Sequence, residues 1–211
     1  MKKIFLYSAV ALLGFSSCRK DEAPETYKEP EDIAVQNSYD DQAIQKFLDK
    51  NYLDALGNIK GFSDTDTSDD GYEKLSSLNP ITLNSGVVYI VRNGAEPNPG
   101  TVIGSSDIIH LMSRTYSYVA ANVSDNVAFT SSALFKSTID GTGVPEKDPG
   151  YYFTTQKAID SYNKANNSSY GKEFFEIEGF REALQKFKAF DKADSENYNL
   201  QGVIIVPSRA A

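Results

Sequence analysis

The sequence predicts an α+β fold, on two observations. The first is a set of β-rich runs set apart by turn residues: Gly86–Arg92, Asp107–Tyr118, Val127–Phe135 and Gly202–Val206. The second is the stretch Phe174–Phe190, FFEIEGFREALQKFKAF. In it Phe180, Ala183, Leu184 and Phe187 recur at i, i+3, i+4 and i+7, with Arg181, Glu182, Gln185, Lys186 and Lys188 on the other side. Gly179 lets the backbone bend ahead of one amphipathic helix laid on a core. Taken alone, the stripe is that of an ordinary packing helix; the order of the elements around it carries the further reading.

Composition bounds the function. The chain has 211 residues, 24% charged and 40% hydrophobic, with 12 Phe, 13 Tyr and no Trp, enough for one globular domain with appendages. Net charge is −8, or about −10 without Met1–Ser17, which carries Lys2 and Lys3. With no Lys/Arg run, nucleic acid is not an expected partner, and an acidic surface is not one for electrostatic binding to anionic lipid. His110 is the only histidine and Cys18 the only cysteine, too few nitrogen and sulfur ligands for a zinc site. No metal or cofactor is expected.

The first segment, 1–17, has the parts of an export signal: Lys2 and Lys3, an apolar run Ile4–Phe15 too short to span a bilayer, then Ser16 and Ser17. Cys18 directly after small residues resembles the lipobox of bacterial lipoproteins. Arg19-Lys20-Asp21-Glu22 is similar to the surface-export signal of lipoproteins in the Bacteroidetes group. The resemblance implies a lipid on Cys18 and an anchored, extracytoplasmic protein at the outer membrane or cell surface. The plainer alternative is a simple secretory signal with an incidental cysteine.

Residues 18–37 read as a flexible polar tether with Pro24 and Pro30. In 38–85, Ser38 and Asp41 suggest a capping box, and Ile44, Phe47, Leu48 and Tyr52 share a face, predicting a helix over Asp40–Ala55. Gly61–Asp70 is an acidic loop. Asp66-x-Ser68-x-Asp70-Gly71 matches the opening of a calcium loop, but its twelfth position is Ser77, which supplies no bidentate carboxylate; a solvated turn is expected. Asn93-Gly94 closes the first strand, and the second, Asp107–Tyr118, is expected to bend near Met112-Ser113. A polar excursion over Thr138–Lys172, with a helical piece near Thr155–Asn163, is longer than an ordinary connector. Asn122, Asn166 and Asn167 head glycosylation-like triplets that carry little weight in an exported bacterial chain. Pro207-Ser208 ends the last strand.

The order from Gly86 to Ala211 resembles the FKBP-type peptidyl-prolyl cis-trans isomerases: a GVxYxV strand, a turn, a long strand, a strand ending in Phe, an insertion, an I-x-G-F helix, and a strand ending in Pro-Ser. The resemblance implies a curved antiparallel sheet wrapping one helix, with an extra N-terminal helix, and a proline pocket between sheet and helix. Ile177 and Phe180 match the pocket's aliphatic wall and aromatic floor, Phe135 its aromatic, and Val206-Pro207-Ser208 its strand end. Leu111, beside His110, stands where the family has a Tyr, and Lys136 where active members have an acid. The family's final strand has no counterpart before Ala211. That implies a longer natural protein, and Val203–Val206 bare on one side.

Pocket candidates are therefore Phe135, Ile177, Phe180, Leu111 and Val206. Isomerising X-Pro means crossing a resonance barrier of roughly 18–20 kcal/mol, which a dry aromatic pocket can lower without nucleophile, base or metal. Three readings stay open: a prolyl isomerase or folding helper for exported proteins, a catalytically weak module binding proline-containing peptides or proteins, and a purely structural lipoprotein of the envelope.

Overall fold

The computed structural model describes residues 30–140, 143–189 and 191–211. The export signal, Cys18, the tether through residue 29 and Phe190 lie outside the described residues.

The first helix, α1 (Ile33–Lys50), starts well ahead of the expected Asp40, inside the stretch read as tether. Asp32 is its cap, accepting from Ala34 N at 2.8 Å, and Ser38 instead bonds Gln42 within the helix. Ile44 and Leu48 are buried as the stripe predicts. The helix stops at Lys50, because Tyr52 belongs to a hairpin, β1 (Asn51–Leu53) and β2 (Ile59–Gly61), and packs on Phe62 and Tyr72. In the acidic loop Asp66 accepts from Ser68 N at 3.0 Å, as in a turn, while Asp69 is buried and accepts from Ser63 N.

Short strands follow: β3 (Ile81–Thr82), β4 (Val88–Val91), β5 (Thr101–Val102) and β6 (His110–Leu111). The expected long strand breaks at Met112-Ser113 and resumes as β7 (Arg114–Val123). A two-residue turn, Ser124 and Asp125 with φ of 51° and 60°, joins it to β8 (Asn126–Ser137). Positive φ at both central residues matches the twist of the flanking strands. The insertion holds β9 (Glu146–Lys147) and α2 (Gln156–Asn166). The central helix, α3 (Glu178–Leu184), is shorter than its stripe, followed by β10 (Lys188–Ala189) and β11 (Gly202–Ile205). The backbone tightens after Leu184, with Phe187 N bonding Leu184 O, yet Phe187 stays buried on the same side.

The chain is therefore α+β, with several small antiparallel sheets: β11-β4-β3, β7-β8, β6-β9, β10-β5 and β1-β2. Among the described residues β11 is an edge strand, paired with β4 alone, and it stops at Ile205, short of Val206. The β11-β4 pair divides two cores by strand alternation. Val88, Ile90, Val203 and Ile205 face Ile44, Leu48, Leu53 and Leu75 under α1. Tyr89, Val91 and Ile204 face Ile103, Tyr152, Leu184 and Phe187 on the α3 side. Position 202, where strand β11 begins, takes glycine because a Cβ there would collide with the Ile90 carbonyl. Just past β11, Ser208 donates from N and Oγ to Asp40, and Arg209 pairs with Asp41 at 2.6 Å, so the segment after β11 is fastened to α1.

Candidate functional site

The site forms where β8, the insertion and α3 meet, and its first side chain owes its direction to a bulge. Thr115 pairs with Lys136 and Tyr116 with Leu134, so Phe135 has no partner across the hairpin. One extra residue bends a strand and re-aims its side chains. Phe135 and Lys136, which regular alternation would send to opposite faces, both reach the insertion. The Phe135 ring lies 5.7 Å from that of Tyr151, and Lys136 Nζ lies 3.0 Å from Glu146 Oε1.

Tyr151 is the centre. The Phe180 ring is 5.6 Å from it and 6.4 Å from Tyr152, so Phe135, Tyr151, Phe180 and Tyr152 form a chain of edge and tilted contacts. Tyr152 is fully buried beneath, donating to Gly104 O at 2.6 Å. Leu111 stands opposite Glu146 in the β6-β9 pair and packs in the same core as Phe180 and Ile204. The Tyr151 hydroxyl donates to Glu146 Oε2 at 2.8 Å. Burial first, then that hydrogen bond and the Glu146 charge, push Tyr151 above the ordinary phenol range, so it remains a protonated donor.

The insertion is held to α3 by Glu176. Its buried carboxylate accepts from Thr154 N at 2.8 Å and pairs with Arg181, with Lys172 at 3.8 Å. Ile177 N donates to Tyr151 O at 2.8 Å, fixing the Tyr151 backbone one residue before α3 begins. Glu178, Arg181, Glu182 and Gln185, opposite Phe180 on α3, line a separate polar cleft of about 620 Å³ with Ser85 and Arg209.

Among the candidates from the sequence, Phe135 and Phe180 meet on Tyr151, and Leu111 packs in the same core as Phe180. Ile177 contributes its backbone to Tyr151 and a half-buried side chain at the start of α3. Val206 is not brought in: it lies past the end of β11 and packs in neither core, and Ile204 is the residue of that strand on the site's side. Tyr151 and Glu146 were missed. A signal existed for the first, since Pro149-Gly150-Tyr151-Tyr152-Phe153 is an aromatic triplet after a turn in an otherwise polar excursion. Nothing in the local sequence marks Glu146.

The arrangement gathers three aromatic rings in edge and tilted contact, with Leu111 in the adjoining core and one ammonium and one carboxylate at the edge. No family model, curated protein or solved structure matches the chain.

Proposed function

We propose that residues 86–211 form an FKBP-like domain that binds proline-containing segments of exported proteins and speeds their cis-trans isomerisation. The protein works at the outer membrane or cell surface through a lipid on Cys18. The observation that carries this reading is the meeting of Phe135 and Phe180, from separate parts of the sequence, on Tyr151, with Leu111 in the same core as Phe180. An antiparallel β4-β11 pair with α3 on one face is compatible with it. The prolyl ring would lie on Phe180 and Tyr151, with Phe135 along its edge. An apolar seat favours the less solvated, twisted amide over the planar one, which is how a site lacking acid–base groups lowers a rotational barrier.

A second reading, a binding module with little catalysis, is favoured by Phe135, which is 51% exposed, and by the Lys136–Glu146 ion pair in place of a free acid. A proline-peptide isomerisation assay separates the two. Under the first reading the rate rises with protein and Phe180→Ala lowers it at least tenfold. Peptide binding with no rate enhancement selects the second. Catalysis unchanged in Phe180→Ala sinks the site assignment.

A further inference from the structure

We propose that Lys136 makes this patch select peptides carrying a carboxylate beside the proline. The inference rests on the peptide-binding reading above and names the substrate class for the same site.

The argument is an inventory of polar groups at the edge of the aromatics. The Tyr151 hydroxyl is committed to Glu146 Oε2, and Glu146 Oε1 to Lys136. Both carboxylate oxygens are thus engaged, and the Glu146 side chain is only 20% exposed. Lys136 differs. An ammonium has three donors, and Glu146 takes one; the side chain is 42% exposed and follows directly on Phe135 in the bulge.

The neighbouring charges do not compete. His110 and Lys147 form the adjacent cross-strand pair in β6-β9, so they project to the opposite face from Leu111 and Glu146, and both lie within 4 Å of Asp194 there. Arg114 is paired with Asp140. The charge with donors left at the patch is therefore positive. A peptide whose proline sits on Phe180 and Tyr151 passes Lys136 with the residue on one side of that proline. A carboxylate there completes a carboxylate–ammonium–carboxylate bridge; a second ammonium is repelled.

The test titrates the full chain with three fluorescent peptides that differ only beside the proline, bearing Glu, Ala or Lys. The expected order is Glu, Ala, Lys, with Glu over Ala by about three- to tenfold at low salt and less at high salt. The Glu/Ala ratio, measured within one protein preparation, falls to about one in Lys136→Met, and Lys136→Glu turns the preference toward the Lys peptide. Equal affinity for all three peptides, each weakened by Phe180→Ala, overturns this inference alone, as does a preference that survives Lys136→Met. Failure of every peptide to bind, or binding that ignores Phe180→Ala, overturns the reading beneath it as well.

Discussion

Asp40 is 6% exposed and takes Ser208 N at 2.8 Å, Ser208 Oγ at 2.6 Å and Gln36 Nε2 at 2.8 Å on its carboxylate. Removing the acceptor strands buried donors, which costs more than the bonds themselves contribute. Asp40→Ala is expected to lower unfolding free energy by about 1–3 kcal/mol in urea melts, and Asp40→Asn by less. Gly179 gives a second residue-scale prediction. In a helix, Gly→Ala ordinarily gains about 1 kcal/mol, but a Cβ here would lie 2.6 Å from Val87 Cγ2 and 2.8 Å from Ala210 O. The collision wins, and Gly179→Ala is expected to lower Tm. Phe135 and Phe180, singled out by the resemblance, are large aromatics flanking strand and helix signals, and both lie against Tyr151. Tyr151 was hidden because its ring partners, Phe135 on β8 and Phe180 on α3, are distant in sequence.

At the scale of elements, the long periodic segments were readable and the short ones were not. Strand β4, the bend at Met112-Ser113, strand β8, helix α2 and strand β11 lie close to their expected ranges, since each carries a run of β-formers or a helical stripe. The two-residue strands β5, β6, β9 and β10 have no pattern to read; they exist because tertiary neighbours supply the ladder. Helix α1 starts earlier than Ser38 and Asp41 suggest, because Asp32 caps it and its first turns bury Gln36 and Asp40, polar residues that bond each other and a distant part of the chain. Leu48 is 3% exposed against Val88, Ile90 and Val203, so Leu48→Ala should cost about 2–5 kcal/mol, read in the same melts. The outer part of the β7-β8 hairpin is exposed on both faces from Ser131 to Phe135. Its amides should exchange with solvent well before those of β4, measured by hydrogen exchange.

For the whole molecule, the acidic balance sets the pH response. Hydrogen bonds from Arg114 and then Ser137 hold Asp140 below its ordinary 3.8, and bonds from Ser68 do the same for Asp66. A carboxylate lowered on folding stabilises the folded state above its unfolded pKa and loses that effect as pH falls through the folded one. Tm is therefore expected to be flat down to about pH 4 and to fall below it, with a shallower fall in Arg114→Ala. At the alkaline end, burial raises Tyr151, Tyr152 and Tyr118, so their stabilisation is present below pH 10 and lost as pH rises beyond it. The α+β character followed from the sequence, but the division of one small sheet between two cores did not. It depends on which face each strand residue meets, and so on α1 and α3 arriving from opposite ends of the chain.

The fastening of Ser208 and Arg209 to α1 also decides how the molecule carries tension. A pull applied between the start of α1 and Ala211 is borne by that short bridge, with Arg209 further anchored on the Asn37 and Ser85 carbonyls. The β7-β8 hairpin, the insertion and the aromatic patch lie off the load path. Under such a pull the aromatic patch keeps its shape until the bridge gives way and α1 peels from the sheet.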